Sequence, residues 1–293
     1  MNTKGPKGTL VLTRSEVAGV LDLEACIDGV ETAFRLHGED GTPDPGMIGV
    51  HVPAGGFHVK AGVLDIGRRY FAAKTNANFM SNRQLGLPTI QGTIVLHDAE
   101  NGVPLAVMDS IEISIQRTGA ATAVAAKYLA RPNSTVAVVC GCGEQGRVQL
   151  RAVAKVLSLE NAYVWDIDKT RAEQLCADLE PELGFSITVA DDFVVAARAA
   201  DVCITCTPSS EYILGPEDVQ PGTFVAGVGV DNPHKKELEP ALLAASKVVV
   251  DVLEQCATIG DLHHALEEQA LTREQVHAEL GAVVAGRKQG RTG

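Results

Sequence analysis

The chain lacks any apolar run of the roughly 18 residues that a membrane-spanning helix needs, and its opening MNTKGPKG has no apolar core of the kind a signal peptide carries. A cytoplasmic location is expected. Positive charge is also short: 25 Lys and Arg stand against 37 Asp and Glu, a formal net charge of −12. General attraction to nucleic acid or to an anionic membrane is therefore excluded, and an anionic ligand must be met by a local cluster of cations. No internal repeat and no low-complexity segment interrupts the sequence. The seven cysteines form an odd set in a chain with no export signal, which implies reduced thiols. One pair, Cys203 and Cys206, has CxxC spacing, but it sits in the apolar run DVCITCTP and no second pair accompanies it. The pair is expected to be buried packing, and no metal site is expected.

At 293 residues the chain exceeds the usual size of one core, so two domains are expected. Hydrophobic residues at 45% and charged residues at 21% are ordinary globular values, which leaves enough apolar material for both. TLVLTRSEVAGVL reads as a strand followed by a helix, with Thr13 and Glu16 in capping-box spacing. Residues 38–56 are rich in Gly and Pro and read as turns around a short strand. FHVKAGVL, YFAAKTNA, TIQGTIVLHD and PLAVMDS then read as a mostly antiparallel sheet. Residues 116–131 have helical spacing and are Ala-rich, suited to a connection between domains.

Past residue 131 the pattern changes to strand, helix, strand, helix, strand, which makes a parallel sheet with crossover helices. FVAGVGV and SKVVVDV are expected to add two strands, and the tail from about 255 to be helical. The expected organisation is α/β, with residues 1–130 and 255–293 forming one domain and 131–254 a Rossmann domain.

Within that second region Gly141, Gly143 and Gly146 form GxGxxG directly after the apolar run Val136–Val139 and at the start of a helix. The first glycine permits a tight turn, the second lets the backbone approach a pyrophosphate, and the third lets helix and strand pack closely. The free N–H groups of the helix start then face the phosphates. Asp166 follows the next strand, 25 residues past Gly141, near the expected spacing of about 20. A carboxylate there accepts from both ribose hydroxyls and repels a 2′-phosphate, which favours NAD over NADP.

Six segments, KTNANF (74–79), GLPT (86–89), GVPLAVMD (102–109), RTGAATAVAAKYLAR (117–131), GCGEQ (141–145) and GVDNPHKKEL (229–238), resemble the ornithine cyclodeaminase and mu-crystallin family, and in its order. Alanine dehydrogenases and ketimine reductases belong to the same family. The resemblance implies a Rossmann nucleotide-binding domain inserted into an α+β substrate and dimerisation domain, hence a homodimer. It implies that Arg117 and Lys74 hold a substrate carboxylate, that Asp231 contacts the reacting nitrogen, and that Thr89 lies near the pocket. It further implies NAD held by Gly141, Gly143, Glu144, Gln145, Gly146, Asp166, Thr207, Pro208 and Val228.

The chemistry agrees with those roles. Hydride transfer to a Cα needs the α-carboxylate held rigidly, for which Arg is a planar two-point clamp. Proton traffic at the nitrogen needs an acid or base, for which Asp231 and Lys74 are the candidates. Two departures concern the substrate. Pro45-Gly46-Met47-Ile48-Gly49 stands where many members place a basic residue, and His58 stands where ornithine-directed members have a Glu. With Lys60 two residues on, and on the same strand face, the expected substrate is a small or dicarboxylic imino acid. Family members usually continue beyond Thr292-Gly293 with a further strand, turn and helix. The expected activity is NADH-dependent imino-acid reduction or its reverse, with cyclodeamination and ligand binding without turnover as alternatives.

Overall fold

Thr13 ends the first strand and starts the first helix by the expected exchange: its backbone N–H donates to Glu16 Oε2 at 2.8 Å while its Oγ1 accepts from the Glu16 N–H. The computed structural model describes residues 8–39 and 45–292. The segment MNTKGPK and residues 40–44 of the Gly- and Pro-rich turn region lie outside it, as does Gly293. The described chain divides into two compact units, residues 1–26 with 39–117, and residues 27–38 with 118–293.

The first unit contains β1 (Leu10–Leu12), α1 (Arg14–Val20), the start of α2 (Leu23–Gly38), and then β2 (Gly46–Val52), β3 (Gly55–Asp65), β4 (Arg69–Asn78), β5 (Ile90–Asp98) and β6 (Pro104–Asp109). These strands form one six-stranded sheet in the order β1-β6-β5-β4-β3-β2. Only β1 and β6 are parallel; the other neighbours are antiparallel and follow one another along the chain. The alternating segments 57–110 are therefore a meander, as their turn signals indicate. A buried Asp98 fixes the turn after β5, accepting from Glu100 N–H and Asn101 Nδ2 and pairing with Arg68.

α3 (Ile111–Leu129) begins in the first unit and from Thr118 belongs to the second. The second unit continues with β7 (Val136–Cys140), α4 (Glu144–Ala154), β8 (Asn161–Trp165), α5 (Lys169–Leu183), β9 (Ser186–Val189), α6 (Phe193–Ala199), β10 (Val202–Thr205) and β11 (Phe224–Gly227). β7 to β11 form one parallel sheet, in the order β11-β10-β7-β8-β9. Both faces are covered. Val139, Ile204 and Val164 pack with Leu150 and Val153 of α4 and Leu175 and Leu179 of α5. Val138, Cys140 and Cys203 pack with Phe193 and Ala197 of α6, with Leu242 and Leu243 of α7 (Pro240–Ala244), and with Leu262 and Ala265. A strand buried on both faces reads as an unbroken apolar run. This is why VAVVC and VCIT show no alternation, and why Cys203 is packing; all seven thiols are free.

Three expectations differ from the structure. The division falls after Arg117 rather than near 131, because the small residues of α3 from Gly119 onward pack into the second unit: a Cβ on Gly119 would stand 2.9 Å from Val148 Cγ2. SKVVVDV does not join the parallel sheet; only β12 (Val249–Val250) forms there, paired with β13 (Ala278–Glu279). Finally, the tail groups with the second unit rather than the first. After α8 (Leu253–Cys256) and α9 (Asp261–Glu267) it is broken by β13, and then continues as α10 (Leu280–Val284). His277 N–H donates to Val248 O and Arg291 Nε to Leu129 O, which ties the tail there. Among the described residues no helix is long and apolar enough to cross a membrane.

Candidate active site

In the first unit the strand register sets the chemistry. Lys60 of β3 stands opposite Lys74 of β4, and Lys74 opposite Ile94 of β5. One pair along, His58 faces Asn76, and Asn76 faces Gly92. Cross-strand partners share a face, so His58, Lys60, Lys74 and Asn76 lie together on one side of the sheet. Ser110, Ser114 and Arg117, at helical spacings of four and three, approach that side along the start of α3.

Ser110 Oγ donates to Asn76 Oδ1 at 2.7 Å, Asn76 Nδ2 donates to Ser114 Oγ at 3.3 Å, and Lys74 Nζ reaches the same Oγ at 3.5 Å. Gly92 is needed opposite Asn76, because a Cβ there would collide with the Asn76 amide and the Thr75 carbonyl. Burial pulls Lys74 down to about 8, with Arg117 and Lys60 adding electrostatic pressure in the same direction. Lys74, Arg117 and Lys60 thus stand near one another, with half-buried His58 on the same sheet face. Across the strands Lys60 also faces Met47, Lys74 faces Ile94, and His58 faces Gly49 and Asn76. Thr89, just before β5, binds Phe79 N–H through its carbonyl.

Asn76, Ser110 and Ser114 were not singled out from the sequence. The signal was present: Asn76 alternates with Lys74 inside KTNANF, and Ser110, Ser114 and Arg117 form one helical stripe.

In the second unit the glycine loop has the backbone that its motif demands. Gly141 has φ +101°, a left-handed conformation open to glycine, and its N–H donates to Trp165 O at 2.8 Å. A Cβ on Gly146 would collide with the Gly141 carbonyl, so the third glycine is what lets α4 meet β7. Gly143, the N-cap of α4, has no atom within 4 Å of where its Cβ would stand and no side-chain cap. That leaves open space in front of unsatisfied N–H groups, as a pyrophosphate requires.

Asp166 follows β8, and its carboxylate is aimed by two backbone donors: Cys142 N–H to Oδ2 at 2.8 Å and Asp168 N–H to Oδ1 at 2.9 Å. Gln149 donates to Gln145 Oε1 at 3.3 Å, leaving the Gln145 amide hydrogens as donors. Glu144 lines a hollow of about 530 Å³ with Cys142, Gly143, Arg147, Thr170 and Arg171. These residues fit a dinucleotide.

Thr207, Pro208 and Val228 lie in the two loops that follow β10 and β11, and a residue that sequence reasoning passed over joins those loops. Glu237, fully buried, accepts from Thr205 Oγ1 at 2.9 Å, Thr207 N–H at 2.5 Å and Gly229 N–H at 2.8 Å. Burial raises its carboxyl pKa, partly offset by those donors. Asp261 in turn accepts from Glu237 N–H and Leu238 N–H, each at 3.0 Å. Asp231 is exposed, paired with Lys235 Nζ at 2.7 Å, while that Nζ also donates to Gly229 O at 3.2 Å.

A parallel sheet with this glycine loop and acid, in one chain with an antiparallel sheet bearing clustered cations, defines a nicotinamide-dinucleotide-dependent enzyme. The chain belongs to the ornithine cyclodeaminase/mu-crystallin family, whose profile matches residues 7–293. Three solved structures show the likeness. An archaeal alanine dehydrogenase dimer with bound NAD is 34% identical, covers 97% of this chain and 87% of its own, and superposes with a TM-score of 0.92. The Thermococcus litoralis Delta(1)-pyrroline-2-carboxylate reductase, in complex with NADH and L-proline, is 32% identical over 97% of this chain and 89% of its own, with a TM-score of 0.91. The iminosuccinate reductase of Paracoccus denitrificans, in complex with NAD+, is 29% identical over 97% and 88%, also at 0.91.

Proposed function

We propose that the protein is an NADH-dependent reductase of α-imino acids, acting in reverse as an amino-acid dehydrogenase, and that its substrate is small or dicarboxylic. The observation that carries this reading is the gathering of three cations: Lys60 and Lys74 stand opposite each other across β3 and β4, and Arg117 at the start of α3 lies close enough to press on the half-buried Lys74. Arg117 clamps the α-carboxylate in two-point geometry. Lys74, brought down to about 8, exchanges a proton near neutral pH and so can protonate the nitrogen as the imine becomes an amine. Asn76 and Ser114 hold Lys74 in place. Lys60 meets a second carboxylate, and His58 leaves a cationic side chain without an acidic partner. Bound NADH supplies the hydride.

Asp231 is assigned to the nitrogen end on the family resemblance, and its pairing with Lys235 orients it. Asp166 makes NADH the preferred cofactor over NADPH. Exposed Met47, Ile48, Val50 and Val52 on edge strand β2 suit a second copy of the chain, which together with the dimeric alanine dehydrogenase supports a homodimer. Free thiols throughout support a reducing, cytoplasmic setting.

Mixing 2-oxo acids with ammonia or methylamine, alongside cyclic imines, and following NADH oxidation tests the reading. Turnover with oxaloacetate, glyoxylate or pyruvate plus an amine supports it. Conversion of ornithine with no net change in nicotinamide absorbance would establish cyclodeamination instead, and NADH binding without any turnover would establish a ligand-binding role.

A further inference from the structure

Helix α9 carries His263, His264 and Glu267, and one ligand atom of each lies within 4.8 Å of those of the other two. The tautomer of each imidazole is set by a carbonyl oxygen, which can only accept. His263 Nδ1 donates to Ala257 O at 3.2 Å, and His264 Nε2 donates to Lys235 O at 2.7 Å. Each ring therefore keeps its other nitrogen as a lone pair. That is the arrangement of metal-ligating histidines, whose second nitrogen is held by a backbone carbonyl or carboxylate.

His263 Nε2 lies 3.3 Å from Glu267 Oε2, so in the tautomer that donates to Ala257 two acceptors face each other, and a cation between them satisfies both. A proton on His263 satisfies that pair but leaves the lone pair of nearly buried His264 unused. A shared cation uses all three groups. The ring centroids stand 5.4 Å apart with their planes at 53°. Two imidazoles bound tetrahedrally at about 2.0–2.1 Å place their centroids roughly 5 Å apart, which the observed spacing matches. Glu267 is 64% exposed, so an ion can enter from solvent.

We infer that His263, His264 and Glu267 bind a divalent cation of the zinc class, with water in the remaining position. The expectation that the chain has no metal site rested on cysteine spacing, and this set contains no cysteine. The site also has a consequence for the segment 229–238. His264 holds Lys235 through its carbonyl, and Lys235 holds both Asp231 and the Gly229 carbonyl. A cation on the other nitrogen of His264 makes its N–H a stronger donor and stiffens that segment.

The test is to titrate metal-free, full-length protein with Co2+, compete the bound Co2+ with Zn2+, and follow thermal unfolding with each metal. One Co2+ per chain is expected, with visible d–d bands and no thiolate charge-transfer band, displaced by Zn2+, and with a rise in Tm. Glu267→Gln and His263→Ala should each weaken Zn2+ binding at least about tenfold, the loss that even indirect disturbance of a metal ligand causes. Each should also remove the metal-dependent rise in Tm. Glu267 is exposed, so its variant keeps the fold, which unchanged NADH binding verifies. The inference is overturned if both variants bind Zn2+ as tightly as the unaltered protein, if only thiolate bands appear, or if no binding occurs at micromolar metal.

Discussion

Every residue of β10 is buried, whereas every residue of β2 is exposed, and the two sheets they belong to divide the labour of the molecule along the same line. The parallel sheet of the second unit is packed on both faces, and its chemistry lies only where its strands end, at Gly141, Asp166 and the loops gathered by Glu237. The meander of the first unit presents ionisable side chains from the middle of its strands, with Lys60 and Lys74 directly opposed. Like charges opposite each other destabilise a sheet, and on the proposed function an anionic substrate offsets that cost. On the function proposed above, one sheet is a scaffold for loops and the other is itself the surface that meets substrate.

The largest effect expected from this contrast is at Lys74. Lys74→Ala should lower kcat about a hundredfold to ten-thousandfold, the usual weight of a general acid or base, while NADH binding measured by fluorescence is unchanged. A sheet that only supported a fold would show the opposite pattern. The parallel sheet is sharpened in the other direction: Leu150→Ala, fully buried against β7 and β8, should destabilise by about 2–5 kcal/mol in urea unfolding. Val195→Ala, on the exposed face of α6, should change stability by no more than about 0.5 kcal/mol.

A smaller effect follows from pH. Burial pulls Lys74 down to about 8 in the folded protein, against the ordinary lysine value of 10.5 that the unfolded chain keeps. Below 8 both states hold that proton and the burial cost is present in full. Between about 8 and 10.5 the unfolded chain binds more protons, so Lys74's contribution to stability rises with pH through that window. Lys74→Met should remove this contribution from the pH dependence of urea unfolding. The same group should give kcat a limb near pH 8. Smaller again, Asp166→Ser should relax the preference for NADH in kcat/KM, because the repulsion of a 2′-phosphate is lost.

The two sheets were also legible in the sequence to different degrees. The glycine loop, Asp166 and the fully apolar strands around them are local signals, fixed by backbone conformation and by burial on both faces. The meander's strands were legible from alternation, and Lys60, Lys74 and Arg117 from chemistry and resemblance. The opposition of Lys60 to Lys74 depends on register, which turns set only once they form. The Ser110–Asn76–Ser114 relay was not legible, since it joins groups more than thirty residues apart. Glu237 was hidden for a similar reason: its partners, Thr205, Thr207 and Gly229, converge only when two crossover loops come together. SKVVVDV misled because its apolar content matches a sheet strand, whereas its partner is β13 in the tail.

The most direct test of the claim that the meander face reads substrate charge is kcat/KM for the imines of oxaloacetate and pyruvate with unaltered protein and with Lys60→Met. A charge-assisted hydrogen bond contributes roughly 1.5–3 kcal/mol, about a tenfold to hundredfold change. Lys60→Met should lose that much on the dicarboxylic imine while the pyruvate imine changes little. Equal losses on both, or ornithine as the best substrate of the unaltered protein, would contradict it.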